Sequence, residues 1–251
     1  MKHFFQKHKL IIAAIISLII VSGFIGMSSV YADEGSIPDD YKQTIYNQEN
    51  GLDSTEVICL YQTKTGYIWV GTESGLYRYN GSDFELFDLW DTDSEDVYYI
   101  NSLFQDSQGR LWVATENYGL FDISGNTPVH FTNDYYNGVK CINDVCEDAN
   151  GNIYVATAYG LYTVNESDVS LTRIEPLAKH NIKGIVTVKD KIWGIYNGNY
   201  IFTIDNAGKV DTINSSEYSN VEISSISATD NGVVYIGTIS REVLKMKSLK
   251  K

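Results

Sequence analysis

The stretch "RLWVATENYGLFDI", Arg110 to Ile123, returns with small changes as "YIWVGTESGLYRYNG" from Tyr67 and "NIYVATAYGLYTV" from Asn152. Aligning on its aromatic gives Trp69, Trp112, Tyr154, Trp193 and Tyr235, at intervals of 43, 42, 39 and 42 residues. That period fits the four-stranded blade of a propeller and not a helical solenoid. The context recurs too. Gly66, Gly109, Gly151 and Gly232 each stand three residues before the aromatic, and an apolar pair lies upstream as Val57 and Leu60, Ile100 and Leu103, Ile142 and Val145, Ile223 and Ile226.

Each part of the repeat has a physical reason. The apolar pair opens a first strand, and "TKTG", "DSQG", "DANG" and "ATDNG" are polar turns whose glycine permits positive φ. The β-branched and aromatic run that follows reads as a strand buried on both faces. A second turn ("TESG", "TENYG", "TAYG") leads to a third strand, and "FELFD", "VHFT" and "SLTRI" read as a more exposed fourth. The prediction is an all-β propeller of about five four-stranded blades, near residues 57–88, 100–132, 142–174, 182–213 and 223–251. The repeated aromatics and glycines are then packing and turn residues, one set for each blade.

The fourth and fifth copies are worn. Asp190 stands where glycine is expected in "KDKIWGIYNGNYIF", and Arg241 takes the position of Gly75. Residues 33–56 form an entry segment in which "YKQTIYNQ", Tyr41 to Gln48, resembles an outer strand able to complete the last blade. Two readings stand: a ring of five closed by that strand, or part of a larger ring.

Residues 1–32 are set apart. Lys2, Lys7 and Lys9 precede an uncharged stretch from Leu10, and "SVYADE" supplies small residues at Val30 and Ala32, the pattern of a secretory signal. The rival is a retained membrane tether through residues 10–27, about long enough for one span. Both place the remainder outside the cytoplasm. The net charge is −13, and three of the 19 basic residues but none of the 32 acidic ones fall in this leader, so the rest is more acidic still. Such a surface repels nucleic acid.

Around Asp106 to Leu120, and partly from Gly66 to Leu76, the pattern D-x-x-G-x-[IL]-W-[VI]-[GA]-T-x-x-G-L resembles the two-component regulator propeller repeat, and "ENGLDSTEV", Glu49 to Val57, is similar to the segment that enters such a blade. The resemblance is strong in blades one to three and weak in four and five. It implies an extracytoplasmic sensor domain of a bacterial receptor, a class often fused to a histidine kinase or diguanylate cyclase and in several cases recognising carbohydrate breakdown products. The chain departs from that plan in having no second span, no transmitter domain and fewer blades.

Function is expected on the face that carries the loops from fourth to first strand and the turns from second to third. The first set offers Trp90, Tyr98, Tyr99, Tyr135 and Tyr136; the second offers Glu73, Glu116, Tyr118, Tyr159 and Asn197. Flat rings with carboxylates and amides suit a small-molecule ligand, oligosaccharide or peptide, and the same residues would serve a protein partner. No cofactor and no metal are expected. Only His130 and His180 follow the leader, and "DTDSED", Asp91 to Asp96, lacks the glycine and distal glutamate of an EF-hand loop. Cys59, Cys141 and Cys146 are an odd set with no paired spacing, and Cys146, at the position of Tyr61 and Phe104, reads as a small buried hydrophobe. The chain has no G-x-S-x-G elbow, and its D-x-x-G turns differ from the D-x-G turn of sialidases, so a non-enzymatic binding domain is expected, with a hydrolase or lyase as the lesser reading.

Overall fold

The computed structural model describes residues 42–54, 56–89, 98–131, 137–214, 222–239 and 242–247. Two compact units are separated at Ile45 and Tyr46. Of the first, residues 42–45 are described, and they are irregular and exposed. The leader and its signal-or-tether readings lie outside the described residues.

The second unit consists of five antiparallel sheets, each built from consecutive strands. Blade one is β1 (Val57–Gln62), β2 (Ile68–Thr72), β3 (Gly75–Tyr79) and β4 (Phe84–Phe87). Blade two is β5 (Ile100–Gln105), β6 (Leu111–Thr115), β7 (Leu120–Asp122) and β8 (Val129–Phe131). Blade three is β9 (Ile142–Glu147), β10 (Ile153–Thr157), β11 (Gly160–Asn165) and β12 (Ser170–Arg173). Blade four is β13 (Ile182–Val188), β14 (Lys191–Tyr196), β15 (Tyr200–Ile204) and β16 (Val210–Asn214). Blade five holds β17 (Ile223–Ala228), β18 (Val233–Thr238) and β19 (Val243–Lys247).

The sheets pack face to face in chain order. The second strands are buried on both faces, as Leu111, Trp112, Val113 and Ala114 show in β6. Trp69, Leu76 and Leu89 of blade one meet Ile100, Leu103, Val113 and Phe121 of blade two. Trp112, Leu120 and Phe131 then meet Ile142, Val145, Ile153 and Tyr162 of blade three, and the same arrangement continues through blades four and five. At the hairpins between first and second strands, Gly66, Gly109, Gly151 and Gly232 take φ of 92°, 89°, 88° and 82°, a region closed to most side chains.

The second blade adds a polar lock to this seam. Asp106 is 1% exposed and accepts from Trp112 Nε1–H at 3.0 Å and from Arg110 Nε–H at 2.6 Å, while the guanidinium lies 4.9 Å from the Trp112 ring centre. Arg110 then crosses to Glu166 of blade three at 2.6 Å. Burial pushes the Asp106 carboxyl up, but the bonds from Trp112 and Arg110 outweigh it and hold it below its usual value.

Of the closing strand expected over Tyr41–Gln48, the described residues 42–47 form no strand. Residues 42–47 are irregular, the chain enters a short 3-10 helix at Gln48–Asn50, and the fifth sheet has three strands among the described residues. The reason is local: the Tyr46 ring packs edge-on against Tyr79 and Phe84 of blade one and shares a hydrogen bond with the Tyr79 hydroxyl at 2.7 Å. Leu52 covers Val70 and Tyr77 on the same face. Among the described residues little else covers that face. Leu60 is 66% exposed, whereas Leu103, Val145 and Ile185 at the matching positions are 7%, 4% and 4% exposed under the preceding blade.

Two outcomes follow from the seam. Trp112→Ala should lower unfolding free energy by about 3–5 kcal/mol, read from urea melts; an unchanged midpoint would remove the packing role. Because the folded Asp106 value is depressed, its contribution is present above the ordinary carboxylate value and disappears as pH falls through the folded one. Stability should therefore drop on acidification below about pH 4, and Asp106→Asn should lack that component of the slope.

Candidate functional site

The first strand of every blade contains one residue more than its partner can match. Val57 pairs with Thr72 and Cys59 with Gly71, which leaves Ile58 unpaired. The same slip leaves Asn101, Asn143, Lys183 and Ser224 unpaired in blades two to five. A bulge of this kind bends the strand and re-aims the extra side chain. It also explains how the apolar pair three residues apart is buried on one side, since strict alternation would send its members to opposite faces.

Four of these residues meet in an open bowl of about 420 Å³, lined by Tyr99, Asn101, Glu116, Cys141, Asn143, Asn181, Lys183 and Ser224. Tyr99, Cys141 and Asn181 immediately precede first strands and Glu116 follows a second strand, so the bowl lies on the face expected for function. Its wall is cross-braced between blades. Asn101 Nδ2 donates to the Ile142 carbonyl at 2.9 Å, and Asn143 Nδ2 donates to the Ile182 carbonyl at 2.7 Å. Since both partners are acceptors, the amide nitrogens must face them, leaving each carbonyl oxygen as the group for other partners.

One layer below, Asp144 ties three blades together. It accepts from Ser102 Oγ at 2.9 Å, from its neighbour Val145 N–H at 2.9 Å and from Ile185 N–H at 3.0 Å. A fringe of the residue stays open, yet the carboxyl itself is enclosed, and burial raises its pKa despite the three donors that pull the other way. Burial likewise pushes the Cys59 thiol to about 12 and raises that of Cys141, with Asp144 and Glu116 respectively adding to the effect. Both are therefore protonated and poorly nucleophilic at neutral pH. Cys146 is buried in the core between blades three and four. The Tyr99 hydroxyl is also raised, first by burial and then by the charges of Glu56, Glu116 and Glu73.

Of the residues expected to bind ligand, Tyr99 and Glu116 line the bowl. Asn197, at φ 50°, stands behind it, exchanging bonds with Asn181 through its backbone N–H and its side-chain oxygen, both at 2.9 Å. Glu73 contributes to the field around Tyr99, and Tyr159 is exposed on its turn. Tyr98 does not line the bowl: it is buried, 4.7 Å from the half-buried Tyr118 ring and edge-on to Phe121, where the chain enters β5. Trp90, Tyr135 and Tyr136 lie outside the described residues, as does the Asp91–Asp96 stretch. The sequence reading missed Asn101, Asn143, Lys183 and Ser224, although each directly follows the first apolar residue of its strand. His130 stacks on Phe121 with Nε2 at the Tyr118 carbonyl, and His180 meets Asn197, so neither lines the bowl. Among the described residues no group of three or more side chains is placed to hold a metal, and no helix is long and apolar enough to cross a membrane.

The fold is that of a β-propeller. The chain carries the two-component regulator propeller repeat: the family model of that description matches residues 51–74 and 94–117. A curated relative, histidine kinase P4 of Formosa agariphila, is 27% identical over 109 residues, which are 41% of this chain and 7% of the kinase. The chain thus spans a small fraction of that relative. Among solved structures, virginiamycin B lyase from Staphylococcus aureus superposes with a TM-score of 0.62 at 14% identity, over 77% of this chain and 70% of the lyase. The extracellular domain of a proposed one-component system from B. thetaiotaomicron also reaches 0.62, at 16% identity, over 79% of this chain and 32% of that domain. At such identities these likenesses establish the propeller architecture.

The enclosed Asp144 generates a measurable outcome. With its folded pKa raised, its contribution is greatest when protonated and is lost as pH rises through the folded value. Urea stability should carry a declining component above about pH 4, absent in Asp144→Asn; identical pH slopes for the two proteins would contradict the burial argument.

Proposed function

We propose that this propeller is the ligand-binding part of an extracytoplasmic sensor, non-enzymatic itself, and that the bowl at the bulged strand ends takes an oligosaccharide or peptide. The observation that carries the reading is the convergence of four equivalent bulge residues, one from each of blades two to five, on one polar concavity. The matched propeller repeat and the kinase relative support the sensor class, and the extracellular receptor domain of the same fold supports the location.

The chemistry of the wall favours ligands rich in hydrogen-bond donors. The amide nitrogens of Asn101 and Asn143 are engaged with backbone, so the Asn101 carbonyl oxygen and Glu116 offer acceptors, the Asn143 oxygen already takes the Cys141 thiol at 3.7 Å, and the Tyr99 hydroxyl can accept as well as donate. Sugar hydroxyls and peptide N–H groups meet that demand, and Tyr99 offers a ring for stacking. Lys183, held by Glu222 at 3.5 Å, is the cation among the lining residues. A ligand spanning the bowl would contact several blades together and so favour one inter-blade arrangement, which an output domain could sense. The lyase of similar fold is a distant likeness in shape and carries no argument for shared chemistry.

A thermal-shift screen of neutral oligosaccharides and short peptides against the purified chain should yield a saturable rise in melting temperature. Tyr99→Ala and Glu116→Ala should each weaken the binding of such a hit by about tenfold while leaving the unliganded melt nearly unchanged. Full affinity in both variants would place the binding site elsewhere.

A further inference from the structure

We propose that the seam between blades four and five is a second binding site, on the hairpin side of the sheets, for a small aromatic or aliphatic carboxylate. A cavity of about 230 Å³ opens there, lined by Val188, Lys189, Asp190, Lys191, Trp193, Gly232, Val234 and Met246. Its walls come from the hairpin of β13 and β14 and from the facing side of blade five.

The cavity exists because blade four lacks a piece that blade two has. In blade two the loop between Gln105 and Leu111 supplies Asp106, whose carboxylate sits between the Trp112 indole N–H and the Arg110 guanidinium. In blade four the ladder continues to Val188 and Lys191, leaving only Lys189 and Asp190 in the turn, with Lys189 forced to φ 58°. The indole survives as Trp193, and Lys191, two residues before it, stands where Arg110 stands before Trp112. The bridging carboxylate is gone. Among the described residues Trp193 makes no side-chain hydrogen bond and neither Lys189 nor Lys191 an ion pair; the one acidic lining residue, Asp190, sits in the exposed turn itself.

Blade four therefore keeps an indole and a cation at the matching sequence positions, but Val188 stands where Asp106 stands, with Val234 and Met246 lining the same cavity. A ligand carboxylate that accepts from the Trp193 N–H and pairs with Lys191 restores that arrangement, with the apolar part of the molecule against the two valines and the methionine. Gly232 lets the Lys189 side chain lie against its backbone, since a Cβ there would meet Lys189 at 2.8 Å. The charges agree: two ammonium groups against one carboxylate make this rim locally positive in a chain of net charge −13.

The test uses 3-phenylpropionate and its neutral amide with the purified chain, reading tryptophan emission and melting temperature. The carboxylate should quench emission saturably with a dissociation constant of about 1 mM or below, and the amide should bind at least about tenfold more weakly. Lys191→Gln, a change at a partly exposed position, should weaken the carboxylate by about tenfold, and Trp193→Phe should remove the quench. No saturable response up to about 20 mM, equal binding of acid and amide, or unaltered binding in Lys191→Gln would each overturn the assignment.

Discussion

Everything in the structure depends on the requirement that a sheet with two apolar faces have both of them covered. In β6, Leu111 to Ala114 are buried whichever way they point, so blade two cannot stand without a sheet on each side. A blade's stability is consequently a property of its two seams. That makes the seams the place where sequence is constrained and also the place where small changes in loop length have structural effects. The Asp106–Trp112–Arg110–Glu166 chain adds directional bonds to one such seam, linking a hairpin of blade two to the third-to-fourth strand turn of blade three.

The same constraint explains what could be read from the amino-acid order. Packing demands an aromatic at a fixed point of each second strand and a glycine at each hairpin, so Trp69, Trp112 and Gly109 announced the blades and their positions. Positions outside the seams obey weaker rules. Tyr98 looked like a loop aromatic free to meet a ligand, but a chain entering a blade needs an apolar anchor, and Tyr98 fills that role beside Tyr118 and Phe121. Tyr46 fell within the stretch read as a strand completing the last blade; its ring packs on Tyr79 and Phe84 of blade one.

The bulges show a signal that was present and unread. Ile100 and Leu103 are both buried, as are Ile142 and Val145, yet a regular strand turns residues three apart to opposite faces. The pair is compatible with one buried side only when a residue is extruded between them, and that residue is Asn101 or Asn143. An apolar pair at a spacing of three inside a strand thus marks both the bulge and the side chain it redirects. The wear of blade four has the same logic: its repeat is shortened in the first hairpin and in the connection that leads into the blade, and not in the core, where Trp193 and Ile192 still face neighbouring blades.

The bowl also inherits a mechanical property from the seams. Asn101 and Asn143 each bond a carbonyl of the following blade's first strand, and Asp144 reaches both the preceding and the following blade. A group that engages those amides acts on side chains already shared between sheets, so its binding energy depends on how the sheets are spaced. Closely packed sheets adjust by small sliding movements rather than by continuous deformation. A site made of bulges on several blades is therefore sensitive to blade arrangement, in a way that a site on one loop of one blade could not be. Among the described residues Leu60 is far more exposed than Leu103, Val145 and Ile185 at the matching positions, so the leading face of blade one is held less tightly than those of the blades that follow.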